Sequence, residues 1–578
     1  MNKRRIFLIV IFLLGCSLGC SFLTSASSTS SSSSPSATSS HPSASSSASS
    51  SSTTTSSSSS SSSSPSLLSP LISNADFTLD QNHDNLPDSW YHGDPNLPDL
   101  EPSRFGWEQF PGSSSKAIWI IGGQDREGEW CCRIEDITPN TDYILHFYAY
   151  RDTFINKIYP EVEIFNQCIL LDNHCTQGGW QLFELHLNSK DAYPVTTLKF
   201  RNRFPVRFWF YLPELVPASE YPPLLSDEEQ RVVKRRMEFI SNQKHFFPIG
   251  IYGISSPRSL VEIKKAGFNT ALIPPNEEFV KIASDMGIKV IVNICPWMHD
   301  PNSGSLFITG MAASPSLLSW YIADEPEISP LIPEVFLPIV KKLNRLDPVH
   351  PTCIAMNRAW LVSNYEMVNN LFLLDEYPIP NMPLTWFTES LDQARNVIGS
   401  QRLWSIVQAF GGPKHKDAGW PRFPTYQELR ALTYLSIIHH TTGILYFSYS
   451  EAFASQTNWA NLGRVVSELN FLYPWLTIPN CTQGKNGNEP DLKLRMLRPY
   501  KADAEGKPAI HFAFKKEGDR FLLLAVNTLD HPVEMSLDGL PQKPRLLNVL
   551  FENRKIVVKE GNLQDEFDPF ETHIYANF

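Results

Sequence analysis

The stretch WYIADEPE, residues 320–327, sets two carboxylates, Asp324 and Glu325, at the end of a short apolar run that a proline then stops. A second acidic end follows in LFLLDEYP, which supplies Asp375, Glu376 and Tyr377. Cleavage of a glycosidic bond needs such a set: one carboxyl kept protonated to assist the leaving oxygen, and a second carboxylate as nucleophile or base. Other apolar runs also end in polar or aromatic residues, namely Tyr252, Asn293 and Trp297, Gln408, and Tyr449 with Glu451. The competing reading of Asp324-Glu325 is an acidic turn after a buried strand. The choice depends on whether these run ends meet in space.

The elements between 245 and 478 say that they do. Eight apolar runs, FPIGIYG, NTALIPP, KVIVNICPW, LSWYIADEP, HPTCIAMN, LFLLDEYPI, RLWSIVQAF and GILYFSYSE, alternate with helical patterns. Several of those patterns show i, i+3, i+4 apolar spacing and end in glycine; the third, SPSLL, is no more than a turn, and WLVSNYEMV is the fifth. Short buried strands alternating eight times with helices predict a (β/α)₈ barrel. A doubly wound open sheet fits less well, because GIYGISS lacks the Gly-rich phosphate turn expected after its first strand.

Chemistry in such barrels collects at the C-terminal strand ends, so the residues above crowd one rim. Glu325 is then the candidate proton donor. Asp375 is the first choice for its partner, being in phase with Leu373 and Tyr377 and two strands away around the barrel; Glu376 and Glu451 stand in reserve. Asp324 is expected to orient Glu325 or to bond backbone at the strand end, and Glu376 to point outward into solvent or toward an arginine. Asp324, Tyr377, Gln408, Trp297, Asn293, Trp420, Tyr449 and Glu451 are the expected sugar contacts. Trp420 lies in GGPKHKDAGWPRFP, a long loop on the same rim, where loops carry specificity. Trp404 sits inside its strand and reads as core.

Strand four ending Trp-Tyr-x-x-Asp-Glu-Pro resembles the large clan of (β/α)₈ glycoside hydrolases whose acid/base glutamate stands at that place. The chain is also similar to a group of uncharacterised bacterial glycosidase-like proteins. These share "DEP", then "D-x-YP" (Asp375 to Pro378), "QAFG" (Gln408 to Gly411) and "P-T-x-x-E-L-R" (Pro424 to Arg430). The resemblance spans the barrel and implies an acid/base role for Glu325. It departs at one place: the clan puts its nucleophile glutamate at the end of strand seven, where this chain has Gln408. A carboxamide forms no covalent ester intermediate. Either the second carboxylate comes from another strand, or the strand-seven register is misread, or the barrel binds glycan without cleaving it.

Both flanks read as all-β. Residues 70–216 hold WCCRI, DYILHFYAY, EVEIF, LFELHL, TTLKF and VRFWFYL between turn signals, and resemble the jelly-roll carbohydrate-binding modules found beside bacterial glycosidases. In NADFTLDQNHDNLPDSW, the residues Asp80, Asn82, Asp84 and Asp88 place oxygen ligands at alternate positions, a spacing suited to a structural Ca²⁺ or to an Asx-rich turn. Residues 485–578 resemble the small β-sandwich that closes many barrel glycosidases, with its AVN strand and terminal FDPFETHIY, and read as structural. No catalytic cofactor is implied.

The N-terminus, MNKRRIFLIVIFLLGC, is a basic cluster followed by an apolar run, a secretory signal over residues 1–20. Leu13-Leu14-Gly15-Cys16 resembles the bacterial lipobox, which implies lipidation at Cys16; Cys20 is a weaker second candidate, and a plain signal peptide the alternative. Residues 21–69 are nearly all Ser, Thr, Ala and Pro, a composition too poor in apolar surface to fold and suited to a tether. The expected location is therefore the bacterial cell envelope, exposed outside the cytoplasm. A net charge of −11, with no basic run beyond the signal except Lys234 to Arg236, argues against a nucleic-acid partner. Carbohydrate is the expected partner, and 14 tryptophans suit stacking on sugar rings as well as bulky cores. Cys168 and Cys175 could bridge a loop in an oxidising compartment.

Overall fold

The computed structural model describes residues 71–578 apart from 94–101, 111–114, 124–126, 152–157, 172–179, 193, 221–225, 298–304, 329–330, 400–401, 482–494, 497–505, 507 and 544. The signal, Cys16, Cys20, the Ser-rich segment and Cys175 lie outside the described residues. Residues 71–578 form one compact unit. Among the described residues no helix is long and apolar enough to cross a membrane.

Two five-stranded antiparallel sheets come first. One runs from Trp90–Gly93 through Gly128–Ile134 and Thr196–Asn202 to Glu161–Ile164 and Gln167–Leu170; the other contains Arg104–Gln109, Lys116–Ile121, Arg207–Pro217, Asp142–Arg151 and Gln181–Asn188. Alternating side chains turn Phe147, Phe200 and Phe210 inward, and Phe200 stacks on Phe210 across the two sheets at 4.3 Å between rings. The proposed calcium loop sits at the start of this part. There Asp84 accepts from Leu86 N at 2.9 Å and from the Asn82 amide at 3.0 Å, while Asp88 accepts from Gln81 N at 3.0 Å. These are the bonds of an Asx-rich turn. Among the described residues no three His, Cys, Asp or Glu side chains converge on a cation position.

A closed parallel barrel follows, made of Ile249–Ile251, Thr270–Ile273, Lys289–Asn293, Leu317–Asp324, Thr352–Met356, Leu371–Leu374, Leu403–Gln408 and Ile444–Phe447, here strands 1 to 8. Its lumen is filled by Leu272, Ile291, Leu318, Tyr321, Cys353, Leu371, Leu373, Trp404, Ile406 and Leu445, so it is a packed core, not a pore. Trp404 is core, as expected. The helix between strands 3 and 4 is Ser305–Ala312, not SPSLL, whose Leu317 already belongs to strand 4. WLVSNYEMV forms a 3₁₀ segment, Ala359–Tyr365, in place of an α-helix. A capping box between Ser226 and Glu229 opens a further helix, Asp227–Asn242, ahead of the barrel.

The last described strands form a three-stranded and a five-stranded antiparallel sheet. One face of the five-stranded sheet, with Ala513, Leu522, Leu524, Val526 and Ile574, merges into the barrel's outer core. Arg430, on the barrel helix Tyr426–Ile438, pairs with Glu468 at 2.8 Å and donates to the Thr572 carbonyl. Apolar area and a buried charge-assisted contact therefore fix this sheet to the barrel wall.

Candidate active site

Strand 4 is irregular, and the irregularity shapes the site. Its pairing slips against strand 3 between Val290 and Ile291 and against strand 5 between Tyr321 and Ala323. Each β-bulge resets the two-residue alternation and re-aims the side chains beyond it. Tyr321 lines the lumen, and its hydroxyl donates to Asp324 Oδ1 three residues on, so both face the same side. Glu325 follows with φ +42°, a left-handed backbone that non-glycine residues seldom adopt, and its N–H is tied to the Ala355 carbonyl at 3.0 Å. Surrounding structure must hold this conformation, and here the tie to strand 5 does so.

Across the mouth, strand 6 delivers Asp375, buried and in phase with lumen residues Leu371 and Leu373. The carboxyls of Asp375 and Glu325 are near enough to perturb each other's ionisation. Two carboxyls at that range cannot both ionise, so the pair retains a proton. Burial, followed by the charges of Asp324 and Glu327, pushes the Glu325 carboxyl up to about 8. Burial, then Glu325 and Asp324, raises Asp375 well above the usual carboxylate range. Asp324 is reached by solvent yet crowded by the wall around it, and that crowding raises its carboxyl despite the Tyr321 hydroxyl.

Glu327 completes the group and was not singled out from sequence. It is fully buried, and Oε1 accepts from Asn357 N at 2.6 Å and Arg358 N at 3.0 Å. Burial raises its carboxyl to about 7. The Arg358 guanidinium returns a bond to the Glu327 carbonyl at 3.0 Å, and the Asn357 amide reaches the Asp375 carbonyl at 3.4 Å. Glu327 thus joins the loop after strand 5 to the ends of strands 4 and 6. Its only signal in the sequence was its place in WYIADEPE, where the proline hid it behind an apparent stop.

Aromatic rings wall the mouth. Tyr377 donates to Asp375 Oδ2 at 3.4 Å, stacks on Phe447 with ring centroids 6.0 Å apart, and takes the Trp420 indole N–H on its own carbonyl at 3.1 Å. Phe410 stands edge-on to Trp420 at 5.2 Å. Trp420 is brought here by its loop, which leaves strand 7 through Gly411 at φ +138°, where a Cβ would lie 2.0 Å from the Arg422 carbonyl oxygen. Trp420, Tyr377, Asp324, Glu325 and Asp375 therefore share one mouth.

Four expected contacts, Gln408, Glu451, Tyr449 and Asn293, are engaged within the fold. Gln408 does end strand 7, so that register is right, but it is fully buried: its Oε1 accepts from Ile379 N at 3.0 Å and its Nε2 donates to Ile379 O at 2.9 Å. It braces the turn after strand 6 and does not face a ligand. Glu451 is engaged by Lys414 and by His415 Nε2 at 3.2 Å, which ties the Trp420 loop to the segment after strand 8. Tyr449 packs on Phe453 at 5.0 Å and against Trp459 at 5.6 Å in the helical layer. Asn293 accepts from Cys295 N at 3.0 Å, and Trp297 ends the short 3₁₀ turn that follows. Glu376, expected outward in solvent, is buried against the helix Leu384–Ile398, where Ser390 donates to it.

The fold and mouth define a (β/α)₈ barrel with an acidic, aromatic-walled opening. No protein-family model matches the chain, and no curated protein does. Among solved structures it is similar to AmyP in complex with maltose, at 10% identity and TM-score 0.40, covering 59% of this chain and 98% of that one. The α-amylase from Geobacillus thermoleovorans gives 12% identity and TM-score 0.37 over 55% and 90%. A GH30 endoxylanase from Clostridium papyrosolvens gives 9% and 0.35 over 57% and 96%. Scores this low say nothing of activity, which rests on the mouth itself.

Proposed function

We propose that this chain is a glycoside hydrolase acting on an oligo- or polysaccharide at the bacterial cell surface, held there by a lipid on Cys16, with the Ser-rich segment as tether. Glu325 is the proton donor and Asp375 its partner. Asp324 orients Glu325, and Trp420 and Tyr377 form the sugar-facing wall. One observation carries the reading: a glutamate at the C-terminal end of a barrel strand, held near a pKa of 8 by burial and neighbouring carboxylates, beside a second buried carboxyl. A general acid must be protonated at working pH, and this environment supports that state. The first sandwich serves as a carbohydrate-binding or spacer part.

A binding-only role has one observation in its favour, the burial of Gln408 where the related clan keeps its nucleophile. A glycan panel separates the two. The full chain is expected to release reducing ends from at least one glycan, with Glu325→Gln and Asp375→Asn each lowering kcat by about 10²-fold or more. Hydrolysis undiminished in Glu325→Gln removes the assignment; binding without hydrolysis moves the chain to the adhesion reading. Activity should also decline as pH rises through about 8, where Glu325 loses its proton.

A further inference from the structure

We propose that the first sandwich is a working part of the barrel's mouth, and that its Tyr148 is a positioning residue, holding Glu325 in place through the loops after strands 4 and 5. This rests on the glycoside hydrolase reading above and goes beyond the binding or spacer part given there to the sandwich.

Successive residues of a strand point to opposite faces of the sheet. In Asp142–Arg151, Phe147 meets Phe200 of the facing sheet at 5.1 Å, so Tyr148 points away from the sandwich core. The outer face of an antiparallel sheet commonly meets water, yet Tyr148 is 3% exposed. The barrel covers it. The Tyr148 hydroxyl donates to Glu334 Oε1 at 3.1 Å, and Glu334 lies in the 3₁₀ turn Pro333–Phe336 after strand 4. Ile332, just ahead of that turn, is buried in the sandwich's apolar cluster. The loop after strand 5 is tied to the same sheet, since Asn364 in Ala359–Tyr365 donates to the Trp180 carbonyl at 3.1 Å.

These ties close the ends of the two segments that carry the acid. Between Glu325 and Ile332, Ile328 N donates to the Glu325 carbonyl at 3.1 Å and Leu331 N to the Pro326 carbonyl at 2.9 Å. The Tyr365 hydroxyl donates to the Leu331 carbonyl, so the two loops hold each other as well as the sandwich. Glu327 lies within the same stretch and accepts from Asn357 N and Arg358 N at the head of the second loop. The Arg358 guanidinium is lowered by burial and raised again by Glu327, then by Tyr150 of the sandwich, then by Glu325. One cation is thus within electrostatic reach of both the sandwich and the acid.

Such a tie acts by keeping water out. Burial is the largest cause of the raised Glu325 carboxyl. Loosening the two loops admits water, lowers that carboxyl and leaves less of it protonated at alkaline pH. Turnover is then lost more as pH rises, whereas a merely less stable fold loses it without that slope.

The test uses the full chain, with glutamate side chains labelled with carbon-13, and three variants. Tyr148→Phe removes the hydroxyl on Glu334, and Asn364→Leu removes the amide on the Trp180 carbonyl. Tyr143→Phe, the control, removes a hydroxyl bonded within the sandwich to Thr138 N at 3.1 Å. The wild-type Glu325 resonance, assigned by its absence from Glu325→Gln, is expected to titrate near 8. Tyr148→Phe and Asn364→Leu should each lower that midpoint by about 0.5–1 in pH, and the control should leave it in place. On a glycan that is cleaved, either tie variant should show kcat about two- to fivefold lower at pH 8 and nearly unchanged at pH 6. Thermal melts establish that each variant is folded, and one folded tie variant is enough. A midpoint that stays at about 8 in the folded tie variants, or moves as far in Tyr143→Phe, overturns this inference and keeps the hydrolase reading. No hydrolysis of any glycan, with the shifts present, overturns the hydrolase reading and keeps the coupling of sandwich to mouth. A wild-type midpoint near 4.5 overturns both.

Discussion

The carboxylates at the barrel mouth and those inside the C-terminal sheets are both crowded by the fold but are balanced differently. In the sheets, Arg554 grips Asp565 through two nitrogens at 2.8 and 3.2 Å and Glu552 at 2.8 Å, His573 meets Glu552 at 2.6 Å, and Tyr575 donates to Asp565 at 2.7 Å. Burial alone would lower the Arg554 guanidinium, yet its bonds to Asp565 and Glu552 raise it. At the mouth, Glu325 and Glu327 share the guanidinium of Arg358 while Asp324 and Asp375 add two more carboxyls beside them, and Glu327 Oε2 lacks a donor. A cluster that only stabilises is closed by opposite charge. One that must hold and release a proton keeps its charges short of compensation.

That contrast can be broken by substitution. The largest effect belongs to Glu325→Gln, about 10²–10⁴ in kcat with the fold intact. Arg554→Met should leave turnover unchanged but cost about 2–3 kcal/mol in urea unfolding, since it strands Asp565 and Glu552; the part exposure of Arg554 keeps this below the full figure for a buried pair. Next comes Gln408→Glu. It removes the donor to Ile379 O and buries a carboxylate there, so a loss of about 1–3 kcal/mol is expected, with no gain in activity. A gain would mean that position 408 reaches the substrate after all.

The smallest effect is on stability against pH. The folded carboxyls of Glu325 and Glu327 lie near 8 and 7, above the ordinary 4.5, so between those limits the folded state binds more protons than the unfolded one. Their contribution is fully present below about 4.5 and is lost as pH rises through 7 to 8. Thermal melts of Glu325→Gln should show a gain over wild type at pH 8 that shrinks toward pH 5. A gain equal at both pH values would place the Glu325 carboxyl in the ordinary range.

Much of this was readable from sequence where period and position decide. The eight strands follow from apolar runs bounded by helices, and Asp375 and Tyr377 were placed by phase with Leu373. What misled was local chemistry that tertiary contacts override. SPSLL carries helix-opening residues but feeds strand 4, while SLFITGMA hides its helix because it is apolar on more than one face. Gln408 and Glu451 sit at strand ends that ordinarily face a ligand, and no spacing rule reveals that the Ile379 peptide and Lys414 take them. The bulges of strand 4 were likewise invisible, since a bulge needs a partner strand to define it. They put Asp324 beside Tyr321 and bring Glu327 under the loop of Asn357.

The proton of Glu325 decides between an acid and an ordinary carboxylate at this mouth. Carbon-13 labelling of glutamate side chains, read as the difference between wild type and Glu325→Gln across pH 4 to 10, isolates that carboxyl. A resonance that keeps its protonated shift until about pH 8 and is missing from the variant is the result predicted here. A resonance that titrates near 4.5 would contradict it.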